Sequence, residues 1–130
     1  MSSSQNTSLH IKGTSKSPAI DFKPGMLSIE GRSIPENAVA FYEPLLAWIE
    51  QYLQAPEALT KVNLKIEYLN SSSNRFIYNI LKMLDDAYQN GTNIVVNWYY
   101  EEDDDTMRNT GNDFQALISL PYRLIPVEEI

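Results

Sequence analysis

Cysteine is absent from this 130-residue sequence, and other features that mark whole classes of protein are absent with it. Without a thiol the chain can form no disulfide, thiolate metal site or cysteine nucleophile, and redox chemistry is not expected. No apolar run is long enough to cross a bilayer. The polar start, Met1 to Ser8, lacks the basic residues and apolar core of a secretory signal. We therefore expect a cytoplasmic protein without membrane insertion.

Basic residues are scarce as well. The sequence has ten lysines and arginines against seventeen acidic residues, a formal net charge of −7. This charge argues against a nucleic-acid backbone or an anionic membrane as the main partner, so a protein partner fits better. The single histidine, His10, has no acid-and-nucleophile pattern around it, and a hydrolase triad is not indicated.

The size of the chain fits one domain. Its 130 residues, 43% of them apolar, can enclose one core but not two. Residues 1–8 are rich in Ser, Asn and Gln and offer almost nothing to bury, so they are predicted to form a disordered tail. The domain is predicted to span residues 9–130.

Four segments before the acidic turn are predicted to be strands. Ala19–Phe22 and Met26–Glu30 flank the turn signal Pro24-Gly25 and indicate a hairpin. From Val62 to Tyr68, apolar residues alternate with polar ones, which is typical of a strand with one face in the core. Asn93 to Tyr100 is a nearly continuous run of β-favouring residues, which predicts a central strand covered on both faces.

Apolar residues at helical spacing predict three helices. The first lies before Pro56, with Pro35 and Glu36 in its first turn. The second follows a run of serines and is closed by Asn90-Gly91, and the third follows an acidic turn, Glu101–Asp105. Their predicted core-facing residues are Phe41, Leu45, Trp48 and Tyr52, with Leu46, Ile49 and Leu53 beside them; Phe76, Ile77, Ile80, Leu81, Leu84 and Tyr88; and Met107, Phe114, Leu117 and Ile118.

The order of these elements predicts the fold class. Strands, helix, strand, helix, strand and helix follow one another, and Tyr122–Val127 adds a short final strand. Strands linked by a helix are expected to pair in parallel through right-handed crossovers. We expect a single small α/β domain with a mixed β-sheet, an N-terminal hairpin and about three helices.

The most informative stretch places three serines, Ser71, Ser72 and Ser73, at the start of the second predicted helix. A helix start offers unpaired N–H groups and the positive end of the helix dipole, so a phosphoserine there would be stabilised. Phosphorylation would add a charge of about −1.5 to −2 and change what docks nearby. The residues alone leave another reading open, in which one serine caps the helix, worth about 1 kcal/mol, and the others solvate the turn.

Three segments together make the chain resemble a known family from Leu9 onward. They are Gly31-Arg32-Ser33-Ile34-Pro35-Glu36-Asn37, Tyr68-Leu69-Asn70-Ser71-Ser72-Ser73, and Val96-Asn97-Trp98-Tyr99-Tyr100 with its acidic tail. The chain resembles the SiaC family of bacterial biofilm-regulating phosphoproteins. The resemblance implies a fold similar to anti-sigma-factor antagonists, that is, STAS-like, in which a hydroxyl at a strand-to-helix corner is phosphorylated.

The resemblance also implies a function. The family's phosphoacceptor, a threonine that follows an asparagine, corresponds to Ser71, with Ser72 and Ser73 as less favoured acceptors. The unphosphorylated form is expected to bind and activate a GGDEF diguanylate cyclase, which raises cyclic diguanylate and favours biofilm. A serine/threonine kinase of the partner-switch type would release the cyclase, and a metal-dependent phosphatase would restore binding. ATP and magnesium would belong to the kinase, so no cofactor is expected here.

A partner-binding surface is expected around the serine corner. Its predicted members are Tyr68, Asn70, Ser71, Ser72, Ser73, Glu36, Asn37 and Tyr99. Glu36 and Asn37 are at least as well suited to a helix start. Trp98, Tyr99 and Tyr100 must alternate across the sheet, so one face can offer an exposed aromatic while Trp98 fits the core.

Two alternatives to the regulatory function stay open. In a small acid–base enzyme, Glu36, Asp103 and Asp104 would be the acidic groups, but no paired-carboxylate or nucleophile–base spacing marks them. In an unregulated adaptor, the serines would form only a capped turn. The acidic run lacks the glycine and distant glutamate of a calcium loop and is interpreted as a solvated turn. We assign no catalytic or metal-binding residue.

Overall fold

The computed structural model of the protein describes residues 7–130. Met1 to Asn6, most of the tail predicted to be disordered, lie outside the described residues. The elements follow in the order β1 (Leu9–Ile11), β2 (Ala19–Lys23), β3 (Met26–Ser33), α1 (Ala38–Tyr52), β4 (Thr60–Leu69), α2 (Ser71–Gln89), β5 (Ile94–Glu101), α3 (Asp105–Gln115) and β6 (Tyr122–Val127).

The six strands form one mixed sheet in sequence order, β1-β2-β3-β4-β5-β6. The first three strands pair antiparallel, and β3 to β6 pair in parallel, with a helix in each parallel connection. Gly25, in the hairpin turn between β2 and β3, has φ of +86°, a conformation that favours glycine. The predicted α/β domain, mixed sheet and hairpin are confirmed.

All three helices pack on one face of the sheet. Phe22 of β2 meets Trp48 of α1 with ring centroids 5.4 Å apart, and Trp98 of β5 meets Phe114 of α3 at 5.5 Å. The strand residues of this face are buried, whereas those of the opposite face are mostly polar or part-exposed. The prediction that β5 is covered on both faces is therefore wrong, since Tyr99 lies on the open face. β5 is an inner strand, but it neighbours the edge strand β6.

The first helix starts later than predicted. Asn37 caps α1, because its Oδ1 accepts a hydrogen bond from the Ala40 N–H at 3.1 Å. Pro35 and Glu36 therefore precede the helix instead of forming its first turn. The fully buried face is formed by Tyr42, Leu45, Ile49 and Tyr52. The predicted stripe residues Phe41 and Trp48 are only partly buried beside it.

The other two helices match the prediction in different degrees. α2 ends at Gln89, and Gly91 follows with φ of +108°, as the Asn90-Gly91 signal predicts. α3 buries Met107 and Phe114 but ends before Leu117, which is 57% exposed. Leu117 and Ile118 are thus wrongly predicted as helical. None of the helices in residues 7–130 is long and apolar enough to span a membrane.

Candidate functional site

The serine corner is the junction between β4 and α2, and its backbone is fixed at both ends. Asn70 caps α2, because its Oδ1 accepts a hydrogen bond from the Ser73 N–H at 2.9 Å. The Asn70 N–H donates to the carbonyl of Ser33, the last residue of β3, at 3.1 Å. The cap therefore ties the first turn of α2 to the end of the neighbouring strand.

The three serines at this corner have different surroundings. Ser71 and Ser72, the first two residues of α2, are exposed, whereas Ser73 has no exposed surface. The Ser33 hydroxyl donates to Ser73 Oγ at 2.7 Å and lies 2.5 Å from the Tyr42 hydroxyl. A kinase cannot reach Ser73 while this packing holds, so Ser73 is a poor phosphoacceptor and presents no surface to a partner. Ser71 and Ser72 stay the predicted acceptors.

The buried hydroxyls of Ser33, Tyr42 and Ser73 form a closed cluster beneath the corner, which we call the hydroxyl cluster. Burial raises the pKa of the Tyr42 hydroxyl, more than its hydrogen bonds with Ser33 and Ser73 lower it. The tyrosine is therefore neutral at physiological pH. One member each comes from β3, α1 and α2, so the cluster sets how these three elements meet.

An open groove of about 440 Å³ lies above the hydroxyl cluster, between the start of α1 and the start of α2. It is lined by Glu36, Asn37, Ala38, Val39, Ser71, Ser72, Arg75 and Phe76, and we call it the serine groove. The structure thus brings Glu36 and Asn37 to the two exposed serines, although more than thirty positions separate them in sequence. Val39 is 52% exposed and gives the groove an apolar rim.

Tyr68 lies just before the corner, and its side chain points away from the core. The pairing of β3 with β4 shifts register between Gly31 and Arg32, so that Arg32 pairs with Tyr68. Tyr68 is 45% exposed, and the Arg32 guanidinium lies 5.6 Å from its ring centroid. The alternating pattern wrongly predicts a core position for this residue. Its exposure is compatible with the predicted partner contact.

Tyr99 does not join the serine groove. Its side chain lies on the open face of the sheet, where the Lys65 ammonium is 5.1 Å from its ring centroid. The cavity that it lines with Lys65 and the C-terminal Ile130 shares no residue with the serine groove. A contact with Tyr99 would thus require a second surface of the protein.

The acidic residues considered for an enzyme do not share a site. Asp104 caps α3 by accepting a hydrogen bond from the Met107 N–H at 3.0 Å. Neither Asp103 nor Asp104 lines the groove that contains Glu36. Within residues 7–130, no group of three or more His, Cys, Asp or Glu side chains is placed to hold a metal ion. The acidic turn is accounted for in part by helix capping.

Three residues of the serine groove, Ala38, Val39 and Arg75, are not identified by the sequence patterns. Arg75 follows Ser71 by four positions and Ser72 by three, so helical geometry places its side chain on their face of α2. Val39 lies before the apolar stripe of α1, and no local pattern marks it as a surface residue. The spacing of Arg75 from the serines is a usable signal, whereas nothing local distinguishes Val39.

Comparison with known proteins shows which family this chain matches. The model of the family described as SiaC family regulatory phosphoprotein matches residues 11–127. An uncharacterised protein of Pseudomonas aeruginosa strain UCBPP-PA14 is 31% identical over 118 residues, 89% of this chain and 94% of that protein.

Solved structures are similar over nearly the whole chain. The crystal structure of apo-SiaC from Pseudomonas aeruginosa has a TM-score of 0.86 and 30% identity, and covers 92% of this chain and 98% of that one. A second crystal structure contains the diguanylate cyclase SiaD in complex with its activator SiaC from the same species. It matches with a TM-score of 0.86 and 30% identity over 92% of this chain and 99% of that one.

Proposed function

This chain belongs to the SiaC family of regulatory phosphoproteins, and from that membership we propose that it binds and activates a GGDEF diguanylate cyclase in its unphosphorylated form. The SiaC that this chain resembles at a TM-score of 0.86 is the activator of the cyclase SiaD. The chain would act as a regulator without chemistry of its own. It would promote cyclic diguanylate synthesis and biofilm formation in the cytoplasm.

The single observation that carries the regulatory part is the exposure of Ser71 and Ser72 beside the serine groove. Both hydroxyls stand in the first turn of α2, where N–H groups without intrahelical partners and the helix dipole favour an anion. The Arg75 side chain lines the same groove. A phosphate on either serine would therefore be stabilised in the free protein.

The same phosphate would oppose binding of the cyclase. A partner that covers the serine groove also covers Ser71, and a dianion buried without full pairing costs several kcal/mol. Glu36 lines the groove and would repel the added negative charge. Phosphorylation by a kinase of the partner-switch type would thus release the cyclase, and a metal-dependent phosphatase would restore binding. ATP and magnesium would be used by the kinase.

The test of this function measures cyclase activation and its loss on phosphorylation with the same set of proteins. Purified SiaD of Pseudomonas aeruginosa is assayed for cyclic diguanylate synthesis with the unmodified chain, the chain treated with kinase and ATP, and Ser71→Ala treated in the same way. We expect activation by the first and third proteins and none by the second, with phosphate mapped to Ser71 by mass spectrometry. Equal activation by all three proteins would contradict the switch, and no activation by any of them would contradict the function.

A further inference from the structure

The open face of the sheet, opposite the three helices, has no cover in the part of the chain that the structure describes. Four of its strands, β3 to β6, run parallel to one another. Parallel strands in proteins are as a rule covered on both faces, whereas antiparallel sheets often expose one face to water. An open face that consists mainly of parallel strands therefore indicates that another surface covers it in solution.

Apolar side chains on the open face are only partly buried within one copy of the chain. They are Met26 of β3, Val95 and Tyr99 of β5, and Ile125 and Val127 of β6. Tyr99 and Val127 line a cavity of about 160 Å³ on this face. Removing such apolar surface from water is favourable, so a partner on this face would be stabilised by its burial.

The polar side chains at the centre of the open face are already hydrogen-bonded to one another. Asn97 is 6% exposed, and its Nδ2 donates to Asn63 Oδ1 at 3.0 Å. Its Oδ1 accepts a hydrogen bond from Arg123 Nε at 3.1 Å. Covering a polar group costs little when its hydrogen bonds are made within the protein. These residues therefore do not oppose burial of the face.

The charged residues of the open face differ between its two ends. Lys23 and Lys61 are exposed in one row across the sheet, at the end where β4 begins. Glu67 and Glu101 lie at the opposite end, where β4 and β5 finish. Arg32 forms an ion pair with Glu67 at 4.0 Å, but neither lysine forms an ion pair within residues 7–130. The face thus has a basic end and a mainly acidic end, and is complementary to a reversed copy of itself.

We infer that two copies of this chain form a dimer through their open faces, with a two-fold axis that lies between the faces and runs across the strands. Such an axis reverses the direction of the strands, so the lysine end of each copy lies over the glutamate end of the other. Lys61 of one copy then faces Glu67 of the second copy, and this contact occurs twice. Tyr99 lies near the middle of the interface, where an aromatic side chain is most favourable.

The open face is large enough for a specific dimer. Its six strands, about 4.8 Å apart, span roughly 24 Å. Along β4, the steps from Lys61 to Glu67 span roughly 20 Å at about 3.3 Å per residue. Each copy thus offers a plane of roughly 500 Å², and the dimer covers roughly 1,000 Å², the lower bound of a specific interface. The side chains add accessible area to this plane.

The dimer leaves the serine groove of each copy uncovered. The residues that line this groove belong to the starts of α1 and α2 and to the segment just before α1. Both helices pack on the face of the sheet that the dimer does not use. The inference therefore goes beyond the proposed function and does not depend on it.

The test reverses one charge at either end of the open face. Sedimentation equilibrium measures the dimer dissociation constant of the unmodified chain, of Lys61→Glu and of Glu67→Lys. Each substitution brings like charges together twice in the dimer, so we expect this constant to rise about tenfold or more. Lys82→Glu and Asp113→Lys make the same charge changes at exposed helical positions and should change it less than about twofold. Circular dichroism establishes that each variant is folded.

An equimolar mixture of Lys61→Glu and Glu67→Lys tests the two-fold arrangement itself. In a dimer of one Lys61→Glu chain with one Glu67→Lys chain, both contacts between positions 61 and 67 again join opposite charges. We therefore expect the mixture to dimerise as tightly as the unmodified chain, although each variant alone does not. Only an arrangement that places position 61 of one copy against position 67 of the other predicts this recovery.

Three results would overturn the inference, and none of them bears on cyclase activation. The first is an unmodified chain that stays monomeric at every concentration reached. The second is a mixture of the two variants that associates no more tightly than either variant alone. The third is equal weakening by the open-face variants and by Lys82→Glu and Asp113→Lys, because overall charge or another surface would then decide the association.

Discussion

The Ser33 hydroxyl donates to Ser73 Oγ at 2.7 Å and thereby joins the end of β3 to the first turn of α2, directly beneath the exposed Ser71 and Ser72. Both hydroxyls are fully buried, and Tyr42 completes the cluster from α1. The two exposed serines thus stand on a first turn that is held in place from below. The hydroxyl cluster orients the two serines that we propose as phosphoacceptors, whereas its own serines, Ser33 and Ser73, are buried.

Replacing Ser73 by alanine is expected to destabilise the protein. The change leaves the buried Ser33 hydroxyl without its acceptor, and an unsatisfied buried polar group costs about 1–3 kcal/mol. The free energy of unfolding is measured by urea denaturation. Ser72→Ala, an exposed neighbour in the same turn, is the control and should change it by less than about 0.5 kcal/mol. Equal stability of the two variants would refute a structural role for the hydroxyl cluster.

Replacing Ser71 by aspartate is expected to imitate the phosphate only in part. Aspartate brings one negative charge and two acceptor oxygens, whereas a phosphate brings a charge of about −1.5 to −2 and three. We expect SiaD binding to Ser71→Asp to be intermediate between the unmodified and the phosphorylated chain, and binding to Ser71→Ala to be normal. Calorimetric titration of SiaD with each form measures this order. A Ser71→Ala variant that no longer binds would show that the hydroxyl itself is needed.

Asp85 of α2 anchors the connection between α3 and β6. Its Oδ1 accepts hydrogen bonds from the N–H groups of Ser119 and Leu120 at 2.9 Å each. Burial alone would raise the pKa of this carboxyl, but hydrogen bonds to Ser119, Leu120 and Gln89 outweigh burial and hold its pKa below the ordinary value. The ionised form is therefore the one that the fold prefers.

This lowered pKa gives the stability a defined pH dependence. A carboxyl with a lower pKa in the folded than in the unfolded state stabilises the fold above the unfolded value, about 3.9, and this stabilisation is lost as the pH falls through the folded value. Asp85→Asn should therefore be less stable by about 1–3 kcal/mol at pH 7, with the difference narrowing below about pH 4. Urea denaturation across this range measures it, with the exposed Asp86→Asn as control. If the difference in free energy of unfolding between the unmodified chain and Asp85→Asn did not change with pH, this explanation would be contradicted.

Gly111 is expected to tolerate no side chain. A Cβ atom at this position would lie 2.4 Å from Trp98 Cδ1 and 2.8 Å from Leu124 Cδ2. Trp98 cannot easily move, because it is fully buried and its Nε1 donates to the Met107 carbonyl at 3.0 Å. Gly111→Ala should cost about 1–3 kcal/mol or more by overpacking. Thermal unfolding measures this, with the exposed neighbour Asn112→Ala as control, and an unchanged melting temperature would contradict the tight contact.

Local pattern predicted most of the elements correctly. The hairpin around Pro24-Gly25, the end of α2 at Asn90-Gly91 and the bounds of β6 all depend on residues close together in sequence. The errors lie where a neighbour in space decides the outcome. Tyr68 continues the alternation of β4, yet the register shift against Gly31 and Arg32 turns it outward. β5 has the composition of a doubly covered strand, although helices cover only one of its faces.

The family and the serine corner could be recognised from the residues themselves, because the three matching segments are local strings and Asn70 followed by serines is a local helix-start signal. The likeness to anti-sigma-factor antagonists stays a prediction from that resemblance. Only the tertiary structure decided that Ser73 is buried while Ser71 and Ser72 are exposed, and that Glu36 and Asn37 line a groove with the two exposed serines. Burial and proximity depend on which distant segments pack together, and periodicity along the chain carries no information about that choice.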